Sequence, residues 1–106
     1  MSERIIKVAR LPQSCKPVPI WDGKTLEPIE VQWLAVSHVP ESDEGPETYV
    51  VYFLDSSAKI TECLQFDTLE IALDQACDIM GMKMDSWKSL DHEVTTGVPI
   101  PLSLLP

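Results

Sequence analysis

Glu70, Asp74 and Asp78 recur every fourth residue, a spacing that sets one carboxylate per turn along a single helix face. Such a stripe does electrostatic work. General acid–base chemistry needs carboxylates in an apolar cleft with shifted pKa values, whereas most of the acids here fall on a polar helix face or in the loop 40–47. Like charges at this spacing destabilise a helix by about 0.2–0.5 kcal/mol per pair. Asp67 and Glu70 recover part of that cost at the helix N-terminus, but Asp78 stands near the C-terminus, where the dipole favours cations. Folding does not account for Asp78, whereas a partner's Lys or Arg would.

The remaining reactive groups point to no cofactor, no metal and no enzyme. His38 and His92 are the two histidines, and neither lies in an H-E-x-x-H pattern. No G-x-S-x-G, phosphate loop or dinucleotide fingerprint occurs, and four glycines leave little to build one. The loop Pro40–Glu47 lacks the central glycine in register and the final bidentate Glu of a calcium loop. Cys15, Cys63 and Cys77 are odd in number and far apart, so reduced thiols are expected, with Cys63 in a strand and Cys77 in a helix acting as small buried hydrophobes.

The elements that must position these groups belong to one domain, since 106 residues support one hydrophobic core and not two. Apolar content of 44% and charged content of 24% are those of a globular protein. No run reaches the roughly 20 apolar residues of a membrane span, and the start lacks a signal peptide's apolar segment, so a cytoplasmic location is expected. The net charge of −9 is uneven: residues 1–24 carry five basic groups and two acids, and the rest carries three basic groups and fifteen acids. That surface repels nucleic acid and anionic lipid and favours a basic protein partner.

Along the chain, Ile5–Ala9 reads as an opening strand, and prolines 12, 17 and 19 make 10–19 an irregular connection. Trp21-Asp22-Gly23-Lys24 is a turn signal. Val31–Val39 is a strand whose residues Val31, Trp33, Ala35 and Val39 share a face, and Pro40–Glu47 is an acidic loop. Thr48–Leu54 is apolar in both alternating sets, which marks a central strand covered on both faces. Asp55–Lys59 turns the chain into a partner strand, Ile60–Phe66.

A helix follows, with Asp67 expected at the N-cap, Glu70 at N3, and Phe66 with Ile71 as a hydrophobic staple. Leu69, Ala72, Leu73, Ala76, Ile79 and Met80 form its buried stripe, and Gly81 ends it. Trp87 is expected to close over the helix end as a core anchor. The tail 94–106, with prolines at 99, 101 and 106, suits extended backbone laid along the domain. The expected fold is α+β, an antiparallel sheet of about four strands with one main helix packed on one face.

The runs Tyr52-Phe53-Leu54-Asp55, Phe66-Asp67-Thr68-Leu69-Glu70-Ile71-Ala72, Gln75-Ala76 and Gly81-Met82 with Trp87 resemble those of small bacterial immunity proteins of polymorphic or contact-dependent toxin systems. The likeness covers about 40 residues, 48–87; residues 1–47 and the Pro-rich tail take no part in it. It implies a non-enzymatic antitoxin that binds a cognate protein toxin, commonly a basic nuclease. Charge complementarity agrees with this, because opposite charge steers association. On this reading Glu41, Asp43, Glu44 and Glu47 of the loop, with Asp67, Glu70, Asp74 and Asp78 of the helix, meet the toxin. Two alternatives differ in class: a homodimeric accessory protein that pairs through a sheet edge or the segment Val98–Leu105, and an enzyme that uses His38 or His92. Oligomeric state stays open between monomer and homodimer.

Overall fold

A computed structural model describes residues 2–19, 26–43, 45–95, 100, 103 and 105, with backbone alone for residues 2, 12–19, 26–30 and 95. The fold is α+β: one antiparallel sheet of five strands and one α-helix. In chain order come β1 (Ser2–Pro19), β2 (Leu26–Val39), β3 (Thr48–Leu54), β4 (Ile60–Phe66), α1 (Leu69–Met80), a short 3-10 turn (Met84–Ser86) and β5 (Lys88–Thr95). Spatially the strands run β4-β3-β2-β1-β5, so α1 and the 3-10 turn carry the chain from one sheet edge to the other.

β3 and β4 have the bounds that their composition predicts. The turn between them is built by Asp55. Its Oδ1 accepts the Ser57 and Lys59 N–H groups at 2.8 and 3.0 Å, which holds Ala58 at φ 61°. β3 is covered on both sides. Val51 and Phe53 pack with Leu11, Val31, Leu34 and Val36 beneath Ala72, Ala76 and Met80 of α1. Leu54 packs on the opposite face with Ile5, Val8, Ala35 and Ile100, flanked by Trp33, Tyr52 and Leu90.

Several expectations change. The stretch 10–19 is not an irregular connection, because β1 continues to Pro19 against β2, with a register shift between Arg10 and Ser14. Beyond Trp33 and Val8 the pair is a two-stranded ribbon with no further neighbour among the described residues, and proline fits a strand at such an open edge. Buried Gln32 stabilises the bulge by donating from Nε2 to the Leu11 carbonyl at 2.9 Å. The same irregularity moves Val31 onto the helix face, away from Trp33 and Ala35. The Trp21–Lys24 turn lies outside the described residues.

A fifth strand joins the sheet where the connection after Trp87 and the start of the tail were expected. β5 pairs with β1, and Val94 and Thr95 complete it; farther along, buried Ile100 packs on the face away from the helix. The remaining tail residues that are described are Ser103 and Leu105, the latter against the same cluster. Arg4 fastens the new edge, its Nε donating to Asp91 Oδ1 at 2.6 Å and its guanidinium reaching Glu93 Oε2 at 3.4 Å. Asp91 therefore holds its proton less readily than an ordinary carboxyl, through the hydrogen bond from Arg4.

The helix begins one residue later than expected. Thr68, not Asp67, is the N-cap, with its Oγ1 accepting the Ile71 N–H at 3.2 Å. Glu70 thereby stands at N2 and Ile71 at N3, so neither the capping-box pair nor the Phe66–Ile71 staple forms in that register. Gly81 closes the helix at φ 66°, a left-handed conformation that suits glycine, with its N–H on the Cys77 carbonyl.

Candidate functional site

The outer face of α1 begins from what the cap decides. With Thr68 as N-cap, the buried residues are Ala72, Ala76, Cys77 and Met80, and Ile71 turns outward at 46% exposure beside Asp74 and Asp78. The stripe Glu70, Asp74 and Asp78 is exposed throughout, and no basic residue stands in the last helical turn. Asp67 is also exposed, just before the cap.

A sulfur-centred contact fixes what lies next to that stripe. The Trp87 indole N–H donates to Cys77 Sγ at 3.3 Å, and Cys77 Sγ lies 3.4 Å from Met84 Sδ. Trp87, half-buried against the helix-side core, thus anchors the segment after Gly81 to the helix. Met84 is held at 50% exposure, and a cleft of about 310 Å³ is lined by Glu70, Ile71, Asp74 and Met84. Two exposed apolar side chains between two carboxylates can receive an apolar side chain flanked by a cation, or the stem and charged head of a single Lys or Arg.

The loop carboxylates lie elsewhere. Tyr49 of β3 pairs with Phe66 of β4, so the loop preceding β3 and the start of α1 share one end of the sheet. Asp67 is at that end with Glu41, Asp43 and Glu47, all exposed, while Glu70, Asp74 and Asp78 run away from it along the helix. Glu44 lies outside the described residues. Glu47 is partly engaged: its Oε1 is 2.5 Å from His38 Nε2 and accepts the Tyr49 hydroxyl at 3.2 Å, with the His38 and Tyr49 rings 5.0 Å apart. Burial, followed by the Glu47 carboxylate, pushes the Tyr49 phenol above its ordinary pKa. A second cleft of about 240 Å³ opens between Val39, Pro46, Thr48 and Gln65, with no titratable side chain among the described residues that line it.

Other polar groups answer to the fold. On the face away from α1, Glu3 is only 6% exposed and accepts the Tyr52 hydroxyl at 2.7 Å. Small residues on the intervening strand, Ala35 and Ser37, let this bond pass from β3 to β1. Ser37 Oγ is buried without a hydrogen-bond partner. Burial, then the bond to Glu3, raises the Tyr52 pKa well above its ordinary value. Among the described residues no three His, Cys, Asp or Glu side chains are grouped to hold a metal, and no helix is long and apolar enough to cross a membrane. His92 is exposed on β5.

Cys77 is buried as expected, but Cys63 is exposed, because β4 is an edge strand that the helix does not cover on that side. Ile71 and Met84 were not among the candidate residues read from the sequence. For Ile71 a signal existed: it is absent from the buried stripe and spaced three and seven residues from Asp74 and Asp78, hence on their side of the helix. Met84 carries no such signal, since its place depends on the sulfur contact with Cys77. Comparisons of the chain with protein-family models, with curated proteins and with solved structures give no match.

Proposed function

We propose that this chain is an immunity protein that binds and neutralises a cognate, basic bacterial toxin through the outer face of α1. The observation that carries the reading is the cleft in which exposed Ile71 and Met84 lie between Glu70 and Asp74. Apolar anchors supply the buried centre of an interface, and surrounding charge sets partner choice and capture rate. Asp78 extends the negative stripe to a helix end where it brings no stability, and the net charge of −9 gives the long-range field that steers a basic partner. Asp67, Glu41, Asp43 and Glu47 add charge at the neighbouring end of the sheet, and Glu44 completes the loop's acidic set in sequence.

The test is the affinity for the toxin encoded beside this protein, measured at low and high salt, for the wild type and for Asp74→Lys with Asp78→Lys. The double variant is expected to bind at least about a hundredfold more weakly at low salt, with a smaller deficit at high salt. Unchanged affinity at both salts overturns the reading.

A further inference from the structure

The two edges of the sheet are built differently. β5 ends one side with Lys88, Asp91, His92 and Glu93, all exposed, and Arg4 pairs with two of its acids. Charges of this kind discourage a foreign strand from adding to an edge. β4 ends the other side with Ile60, Thr61, Cys63 and Gln65 exposed, and Ile60 is 41% accessible. Its single formal charge is Glu62. In a chain of net charge −9, that makes β4 a nearly neutral strip along a ladder that is unpaired among the described residues.

We propose that β4 pairs antiparallel with β4 of a second copy, joining two five-stranded sheets into one across a two-fold axis at Cys63. The inference goes beyond toxin binding and does not depend on it. Backbone direction supports it: the Cys63 N–H bonds to the Glu62 carboxylate at 2.9 Å, so Cys63, and by alternation Gln65, turn their backbone groups toward the open edge. Register supports it as well. The seven residues of β4, whose ladder to β3 passes over Thr61, are centred on Cys63, so full overlap sets Cys63 against its own copy, Thr61 against Gln65 and Glu62 against Leu64. The one charged side chain stands opposite Leu64 and only diagonally from its own copy. On pairing, the Cys63 N–H exchanges the Glu62 carboxylate for the Cys63 carbonyl of the second copy. Because both chains are acidic, salt strengthens this contact, whereas it weakens the capture of a basic toxin.

Sedimentation equilibrium of the full chain tests the pairing in the wild type and two variants. The wild type is expected at twice the 11.9 kDa chain mass at tens of micromolar, and tighter at higher salt. Thr61→Lys with Gln65→Lys places like charges opposite one another and is expected to raise the dissociation constant by at least about tenfold. Thr61→Lys with Gln65→Glu places opposite charges there and is expected to restore the dimer. Both variants lose the Thr61 hydroxyl bond to the Phe53 carbonyl, so their comparison cancels that loss. A wild type that stays monomeric, a Lys/Lys variant as tight as the wild type, or a Lys/Glu variant as weak as Lys/Lys each overturns the proposal.

Discussion

The inner and outer faces of α1 come from the same twelve residues and answer to different demands. On the inner face Ala72, Ala76 and Met80 are nearly inaccessible, and each packs against the sheet. On the outer face Glu70, Asp74 and Asp78 repeat a like charge, and Ile71 gives 46% of its surface to solvent. A helix selected for stability alone would reverse the outer pattern, with Lys or Arg in its last turn. Burial explains the inner face, while the outer face carries a charge pattern that helix stability does not explain.

The largest effect is expected on the inner face. Met80→Ala removes a side chain of 2% exposure and is expected to cost about 2–5 kcal/mol, read as a lower midpoint in urea unfolding. A cost near zero would mean that the helix does not anchor the core. The outer face makes the opposite prediction: Ile71→Ala with Met84→Ala is expected to leave unfolding within about 1 kcal/mol of wild type, because both side chains are about half exposed. The same pair is expected to weaken toxin binding by about 2 kcal/mol or more, since anchors at the centre of an interface carry most of its energy.

A buried polar contact tests whether inner surfaces tolerate lost partners. Tyr52→Phe leaves the Glu3 carboxylate without its hydroxyl donor and is expected to cost about 1–3 kcal/mol at neutral pH. The pH dependence follows from the direction of the Tyr52 shift. Its folded pKa is raised, so the protecting contribution is complete below the ordinary value of 10.0 and declines as pH rises through that value and beyond, where the unfolded chain ionises first. Alkaline unfolding curves of the wild type should fall more steeply than those of the Phe variant. Parallel curves would remove Tyr52 from the account.

Legibility in the sequence follows the same division between local and distant causes. β3, β4 and α1 were readable because their signals are local: two apolar alternations, a five-residue turn organised by Asp55, and a 3.6-residue stripe closed by Gly81. The N-cap slipped by one because Asp67 and Thr68 both carry a capping oxygen, and the backbone at Thr68, φ −132°, decides between them. β5 was not readable. Lys88–Thr95 is polar, and its strand character comes from pairing with β1, as in the Arg4–Asp91 bond between residues 87 positions apart. The prolines of β1 hide a strand for a related reason, since a ribbon whose edges are open among the described residues accepts them. Of the candidate site, the carboxylates were plain from spacing, while the apolar half needed the correct cap for Ile71 and the Cys77 contact for Met84.

Asp78 is the smallest expected effect and the one that separates the two faces most cleanly. Asp78→Lys relieves the like-charge pair with Asp74 four residues earlier and puts a cation at the negative end of the helix. Exposure limits both gains, so the variant is expected to be more stable by about 0.3–1 kcal/mol, with the increment shrinking as salt is raised. If the proposed function holds, the same substitution removes one charge from the face that captures the toxin and lowers the capture rate. Stability and binding therefore move in opposite directions at one residue, a result that neither a purely structural nor a merely solvated Asp78 produces. If Asp78→Lys unfolds at lower urea than the wild type, Asp78 serves the fold as the inner face does, and the outer face loses its distinct role.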